Sequence, residues 1–213
     1  MIRLICILIG YVFGLFQTGY IYGKLNGIDI RSKGSGNAGT TNALRVLGMK
    51  AGAVTFLGDA FKCIFAILFV KILFGNMYGE ILPALKMYTA LGTVLGHNYP
   101  FYLEFKGGKG IAVTAGLIIS TVSLPMTLIC VAVFASIVLI TRYVSLGSLV
   151  VVLVYLAELI VYGQAGNFGV SASTLYEIYF VGILLVISAF IRHKANIVRL
   201  LSGNENKISL GKK

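Results

Sequence analysis

The chain has 213 residues, 58% of them hydrophobic and 12% charged, about half the charged share of an ordinary soluble domain. A mean hydropathy of +0.92 makes it a polytopic membrane protein. A net charge of +11 must then be carried by loops and ends, where it suits anionic headgroups or an acidic substrate; no nucleic acid partner is expected, because no continuous basic, aromatic-interleaved surface is present.

The periodicity predicts an all-α chain with spans over residues 4–23, 51–74, 81–97, 111–123, 125–141, 144–162 and 175–191. In the first, Gly10, Gly14 and Gly19 offer close helix packing. Arg3 is followed by a long apolar run without a small-residue cleavage pattern, so this span is read as a retained helix. A polar interval, residues 24–50, follows. In the second span Asp59 and Lys62 are three residues apart and share a helix face, where a mutual ion pair or a substrate role would account for them. The third ends at Gly96-His97-Asn98-Tyr99-Pro100.

Residues 111–141 are apolar without interruption; as one helix they would measure about 46 Å, against a hydrocarbon core of about 30 Å. Pro125, preceded by Thr121 and Ser123, divides the run in two. The fourth span is then short and needs tilt or local thinning. With this division, residues 24–50, residues 98–110, Arg142 and the C-terminal tail share one side, which carries 14 of the 18 basic residues. Seven spans therefore satisfy the positive-inside rule, with the N-terminus outside and the C-terminus cytoplasmic. The tail starts as an amphipathic helix with Arg192, Asn196 and Arg199 at helical spacing and continues as a solvated polar segment, residues 202–213. Residues 1–213 read as a single integral-membrane domain without internal repeats.

Four polar clusters fall on the basic side. Gly34-Ser35-Gly36-Asn37-Ala38-Gly39-Thr40-Thr41-Asn42 spells G-x-G-x-x-G, but its neighbours are membrane helices rather than a βαβ unit, so no dinucleotide is implied. Its glycines let backbone N–H groups approach an anion, with Arg31, Lys33 and Arg45 nearby, and Thr41 or Asn42 can cap the helix that carries Arg45. Lys106-Gly107-Gly108-Lys109-Gly110 lacks a P-loop's first glycine and its Ser/Thr, yet two lysines on a glycine turn suit phosphate groups. Arg142 through Ser148 offers a base and two hydroxyls, with Ser145 as a simple N-cap being the plain alternative. His193, Asn196 and Arg199 form the fourth, and the fold could bring His97 and His193 together. Tyr102 stands where an acyltransferase of the His-x4-Asp kind needs its aspartate. Cys6, Cys63 and Cys130 lie inside spans without ligand spacing, so neither a disulfide framework nor a metal site is expected. Such a face binds polyanions but supplies no strong general base.

Together the segments resemble the bacterial acyl-phosphate:glycerol-3-phosphate acyltransferases. The matching pieces are Asp29-Ile30-Arg31 through Arg45 and Gly48, Asp59 with Lys62, Gly96-His97 and Pro100 through Gly110, Arg142-Tyr143-Val144-Ser145-Leu146, and His193 through Leu201. Thr40 departs mildly from the alanine common in the family's loop. The resemblance implies transfer of a fatty acyl group from acyl phosphate to the 1-hydroxyl of glycerol 3-phosphate, giving lysophosphatidic acid and phosphate without an acyl-enzyme. This would be the first acylation of phospholipid synthesis, at the cytoplasmic face of a bacterial cell membrane, with no metal or organic cofactor. It makes Ser35, Arg45, Lys109, Ser145, His193 and Asn196 the catalytic set. Gly34, Gly36, Asn37, Gly39, Thr41, Asn42, His97, Lys106, Gly107, Gly108, Arg142 and Arg199 are the expected phosphate-binding surroundings. Expected partners are glycerol 3-phosphate, acyl phosphate, membrane lipid and, transiently, the enzyme that makes acyl phosphate. Two rivals are weighed against this. An organic-phosphate carrier would place polar, broken helices at the midplane, and a lipid-headgroup phosphotransferase would need clustered aspartates and a metal.

Overall fold

Ten α-helices and three short 3₁₀ turns make up the regular structure of residues 1–208, the part of the chain that the computed structural model describes. No strand occurs among the described residues. The expected first span is not one helix: α1 (Ile2–Gly14) and α2 (Thr18–Leu25) are separated by Leu15-Phe16-Gln17. Carbonyls released by the break must find donors inside the protein, since lipid offers none. Gln17 Nε2 donates to Gly14 O at 3.2 Å and to His97 O at 3.0 Å. The Tyr102 hydroxyl donates to Leu15 O at 2.6 Å, and Lys62 Nζ to Phe16 O at 2.6 Å. Two of these donors, Lys62 and Tyr102, are distant in sequence, which is why local periodicity does not show the break.

The polar interval contains a 3₁₀ turn and α3 (Thr40–Leu47), which leads into α4 (Met49–Phe74). Next comes α5 (Leu82–Asn98), the central helix. It meets α1 backbone to backbone: a Cβ on Gly10 or Gly14 would strike the α5 main chain, and one on Gly92 or Gly96 the α1 main chain. Close packing on all sides explains why α5 tolerates buried Thr89, Thr93, His97 and Asn98. Both threonine hydroxyls donate to their own helix, to Leu85 O and Thr89 O.

The division near Pro125 is present. Helix α6 (Ile111–Thr121) ends at Val122, and α7 (Leu124–Thr141) begins with the proline in its first turn. Then follow α8 (Val144–Gln164), α9 (Ala172–Arg192) and the short α10 (Lys194–Leu201). Met87, Leu91 and Val94 of α5, Val113 and Leu117 of α6, Tyr155 of α8 and Val181 of α9 share one core. The opposite faces are apolar and exposed, as lipid requires: Phe65, Phe69 and Ile72 on α4, Leu128, Val131 and Leu139 on α7. Five segments are long and apolar enough to cross a membrane: Ile2–Leu25, α4, α7, α8 and α9. Helix α5 has 17 residues. Helix α6 has 11, a rise of only about 16 Å.

The tail also differs from expectation. Residues 204–208 fold back, with Asn204 N donating to Arg199 O at 2.8 Å and Ile208 N to Arg142 O at 2.9 Å. The remainder of the expected polar segment, residues 209–213, lies outside the described residues.

Candidate active site

The four polar clusters meet around one cavity of about 280 Å³. The first loop is built by Asn42, which is buried and does not act as a helix cap. Its amide donates to Ile30 O at 2.8 Å and Lys33 O at 3.1 Å, while its carbonyl accepts from Ser35 N at 2.8 Å. Thr41 is not the cap either; Gly39 holds that position and makes no side-chain bond. Gly34 needs its positive φ of 59°, and a side chain there would meet the Asn42 amide. Asn37 accepts from Gly39 N at 3.0 Å and donates to Gly107 O at 3.3 Å, tying the first loop to the second. The first turn of α3 then lines the cavity with Gly39, Thr40, Thr41 and Asn42, followed one turn on by Arg45. An anion in the cavity would face that helix start and the guanidinium together. Arg31 is not free for such a role. It bonds to Asp29 at 2.8 Å, packs 4.8 Å from the Tyr20 ring centroid, and holds the Asp29 carboxyl down at about 2.

Below the second loop lies a buried polar cluster. Lys62 Nζ donates to Asp59 Oδ1 at 2.9 Å and to His97 Nδ1 at 2.8 Å, and the Thr18 hydroxyl donates to the same Asp59 oxygen at 3.1 Å. The ion pair expected from the spacing of Asp59 and Lys62 is therefore present, and it extends to His97. The far side of the His97 ring touches the Gly108 backbone so closely that a Cβ there would collide with it. From the other side Arg192 grips the same turn, donating to Gly107 O at 2.9 Å and Gly108 O at 2.7 Å, with its guanidinium 5.0 Å from the Tyr99 ring centroid. Sequence reasoning saw Arg192 only as part of a basic helix face; its function as a clamp depends on how α9 approaches the second loop.

Held in this way, Lys109 points its ammonium into the cavity and donates to Asn196 Oδ1. Burial, with Arg199, Arg192 and Arg45 nearby, lowers its pKa to about 8. His193 sits between α9 and α10. Burial, then the Lys109 charge, lowers its pKa to about 4. Its Nδ1 lies 2.8 Å from Ala189 O. A carbonyl only accepts, so Nδ1 carries the proton and Nε2 keeps a lone pair. Ser145 is buried with its hydroxyl unpartnered among the described residues, as is the Thr40 hydroxyl. Tyr143, not Ser145, caps α8. Both hydroxyls line the cavity.

Of the expected residues, Ser35, Asn37, Gly39, Thr41, Asn42, Arg45, His97, Lys109, Ser145, His193, Asn196 and Arg199 are brought together around the cavity. Gly34, Gly36, Gly107, Gly108, Lys106 and Arg142 are not among its lining. The four glycines shape the loops, and Lys106 is exposed and paired with Glu104 at 2.7 Å. Arg142 is left-handed at the α7–α8 turn and offers only its carbonyl to Ile208. Two features went unanticipated. Phe56, Phe134 and Val138 give the cavity lining an apolar part beside its cations, and Glu205 belongs to the same lining. No cluster of His, Cys, Asp and Glu suited to a metal occurs among the described residues.

Comparison with known proteins agrees along nearly the whole length. The family profile described as glycerol-3-phosphate acyltransferase matches residues 4–203. The chain is similar to the glycerol-3-phosphate acyltransferase of Clostridioides difficile (strain 630), 41% identical over 214 residues, covering 96% of this chain and 95% of the relative. It is also similar to crystal structures of PlsY (YgiH), an integral membrane glycerol 3-phosphate acyltransferase. The glycerol 3-phosphate form superposes with a TM-score of 0.82 at 33% identity, covering 97% of this chain and 96% of that one. The lysophosphatidic acid form gives 0.79 at 32%, covering 97% and 95%.

Proposed function

Since the chain belongs to the glycerol-3-phosphate acyltransferase family, we propose that its donor is acyl phosphate and that the acyl group passes directly to the 1-hydroxyl of glycerol 3-phosphate. The carrying observation is the composition of the cavity: one lining combines Arg45, Lys109, Asn196 and Arg199 with Phe56, Phe134 and Val138. A phosphate and a fatty chain attached to one carbonyl fit that polarity.

The donor's chain lies against Phe56, Phe134 and Val138 with its phosphate near Lys109. The acceptor's phosphate rests on the first loop, where Ser35, the α3 start and Arg45 supply donors. Arg199 and Asn196 complete the cationic wall. The acceptor hydroxyl oxygen attacks the acyl carbon, the bond from that carbon to the phosphate oxygen breaks, and lysophosphatidic acid and phosphate result. His193 Nε2 accepts the hydroxyl's hydrogen bond during approach, and the proton ends on the departing phosphate. A mixed anhydride has a good leaving group, so positioning and charge stabilisation suffice, and Ser145 is a hydrogen-bond partner, not a covalent nucleophile. Neither metal nor organic cofactor has a role in this scheme.

The same reading extends to topology. The four basic segments surround one cavity, and the positive-inside rule assigns that end to the cytoplasm. Seven crossings result, α1 and α2 counting as one, with the N-terminus outside and the whole chain as one domain. Acyl phosphate is poorly soluble in water, so the enzyme that makes it would deliver it at this face of the bacterial cell membrane.

Purified protein supplied with acyl phosphate and glycerol 3-phosphate, without metal, should form lysophosphatidic acid. Activity with another acyl donor, but none with acyl phosphate, would overturn the donor assignment. Gly108→Ala should push the second loop off the His97 ring and displace Lys109. A displacement near 1 Å costs about a hundredfold in rate, read as kcat/KM for glycerol 3-phosphate in the same assay.

A further inference from the structure

Helix α6 covers only part of the groove in which it lies. It packs into the angle between α4 and α5: a Cβ on Gly116 would strike Ala60 O and touch Cys63 of α4, and one on Gly110 would lie 3.1 Å from Val94 of α5. The helix stops at Thr121, whose hydroxyl is 2.8 Å from that of Tyr155. The Tyr155 hydroxyl is in turn 3.5 Å from Met87 Sδ, which places the end of α6 near the level of Met87. Beyond it the chain turns into α7, which packs on α8.

The two faces that hold α6 continue past its end, toward the membrane surface opposite the cavity. On α4, Ala60, Cys63 and Ile67 are followed at helical spacing by Lys71, which is exposed. On α5, Thr93 and Ala90 are preceded at the same spacing by Lys86, which is half-buried. Lys71 stands in the last turn of α4 and Lys86 in the second turn of α5, and the charge of the first reaches the second. Neither belongs to the ion pairs of the described residues. At this same end Arg3 of α1 and Glu177 of α9 neutralise one another at 2.6 Å, and Glu80, in the turn between α4 and α5, is exposed.

Two ammonium groups converging on one notch repel each other, and hydrocarbon supplies no counter-ion. Water relieves an exposed ammonium, but Lys86 is half-buried and the charge beside it is another lysine. A phosphodiester of a lipid headgroup brings one negative charge to this depth. Its acyl chains would lie along the exposed apolar side of α4, against Leu68 and Ile72. We infer that the notch beyond α6 binds an anionic phospholipid of the leaflet opposite the cavity, held at its phosphate by Lys71 and Lys86. The lipid packs on α4 and α5 where a longer α6 would have packed, and so completes the bundle at that end. The proposed orientation makes this the outer leaflet; the site itself stands on the two lysines and the length of α6.

Native mass spectrometry of the purified full chain reads this site without turnover. The probes are dioleoylphosphatidylglycerol and phosphatidylcholine with the same chains. A lysine beside a lipid phosphate contributes about fivefold in affinity, so Lys71→Gln with Lys86→Gln should weaken the tightest phosphatidylglycerol binding about thirtyfold and leave phosphatidylcholine unchanged. Lys71→Arg with Lys86→Arg keeps both charges and should keep the affinity, which separates lost charge from a damaged fold. Lys24→Gln with Lys50→Gln, two exposed lysines at the cavity end, should leave the tightest binding in place. Unchanged phosphatidylglycerol binding in the glutamine pair would overturn the inference, as would an equal loss in the arginine pair, in the cavity-end control or for phosphatidylcholine. Release of the bound lipid by millimolar inorganic phosphate would also overturn it, by making the notch a site for free anions.

Discussion

Lys109→Ala should lower kcat/KM by about a thousandfold, the upper range for removing one preorganised donor from a developing negative charge. The ammonium is fixed by Asn196 and held on a turn gripped by His97 and Arg192. The wild-type pH profile should carry the mark of the same residue. Burial disfavours the charged form and brings its pKa to about 8. Below that pH the ammonium is present and works; above it the amine is neutral and phosphate stabilisation is lost. An alkaline limb near pH 8 is expected in kcat/KM. Lys109→Arg, whose guanidinium stays charged, should retain part of the rate and push that limb out of range. A limb that stays near pH 8 in the arginine variant would assign it to another group.

The largest stability loss should come from Lys62→Met. Lys62 and Asp59 are 5% and 1% exposed and pair at 2.9 Å, so deleting the cation leaves a buried carboxylate without compensation. The expected cost is about 3–5 kcal/mol. Phe16 O, freed by the α1–α2 break, and His97 Nδ1 would lose their donor as well. Asp59→Asn combined with Lys62→Met should recover most of the loss, because the unpaired charge is gone. The chain has no tryptophan, but Cys6, Cys63 and Cys130 are free and buried. A thiol-reactive dye therefore reports unfolding directly in detergent. A double variant no more stable than the single one would show that the cluster's shape, rather than its charge balance, holds these elements.

Much of this was legible from the chain alone, for physical reasons. Apolar runs declare helices facing lipid, and Pro125 declares where one must stop. Small residues at Gly10 and Gly14 announced a close helix contact, although nothing local named α5 as the partner. Glycine-rich basic loops announced an anion. The α1–α2 break was hidden, because the carbonyls of Leu15 and Phe16 are satisfied by Tyr102 and Lys62 from different parts of the fold. Asn42 looked like a cap and is a loop staple, since its burial depends on the 3₁₀ turn at Ile30. On spacing alone Lys106 and Lys109 look equivalent, and only the family resemblance assigns them different roles. Three residues apart on a turn, one faces water and Glu104 while the other faces the cavity. Glu205 was unreadable as a site residue because an acidic tail residue has no periodicity to betray where it lands.

Helix α6 acts as a spacer of fixed length within a barrier whose thickness varies. With 11 residues, it reaches only about half of a hydrocarbon core of about 30 Å, and Lys109 stands just before its start. A thicker bilayer would draw that amine further from water and lower its proton affinity, while a thinner one would release it. A change in membrane thickness would thus reach the charge state of a lysine that lines the cavity.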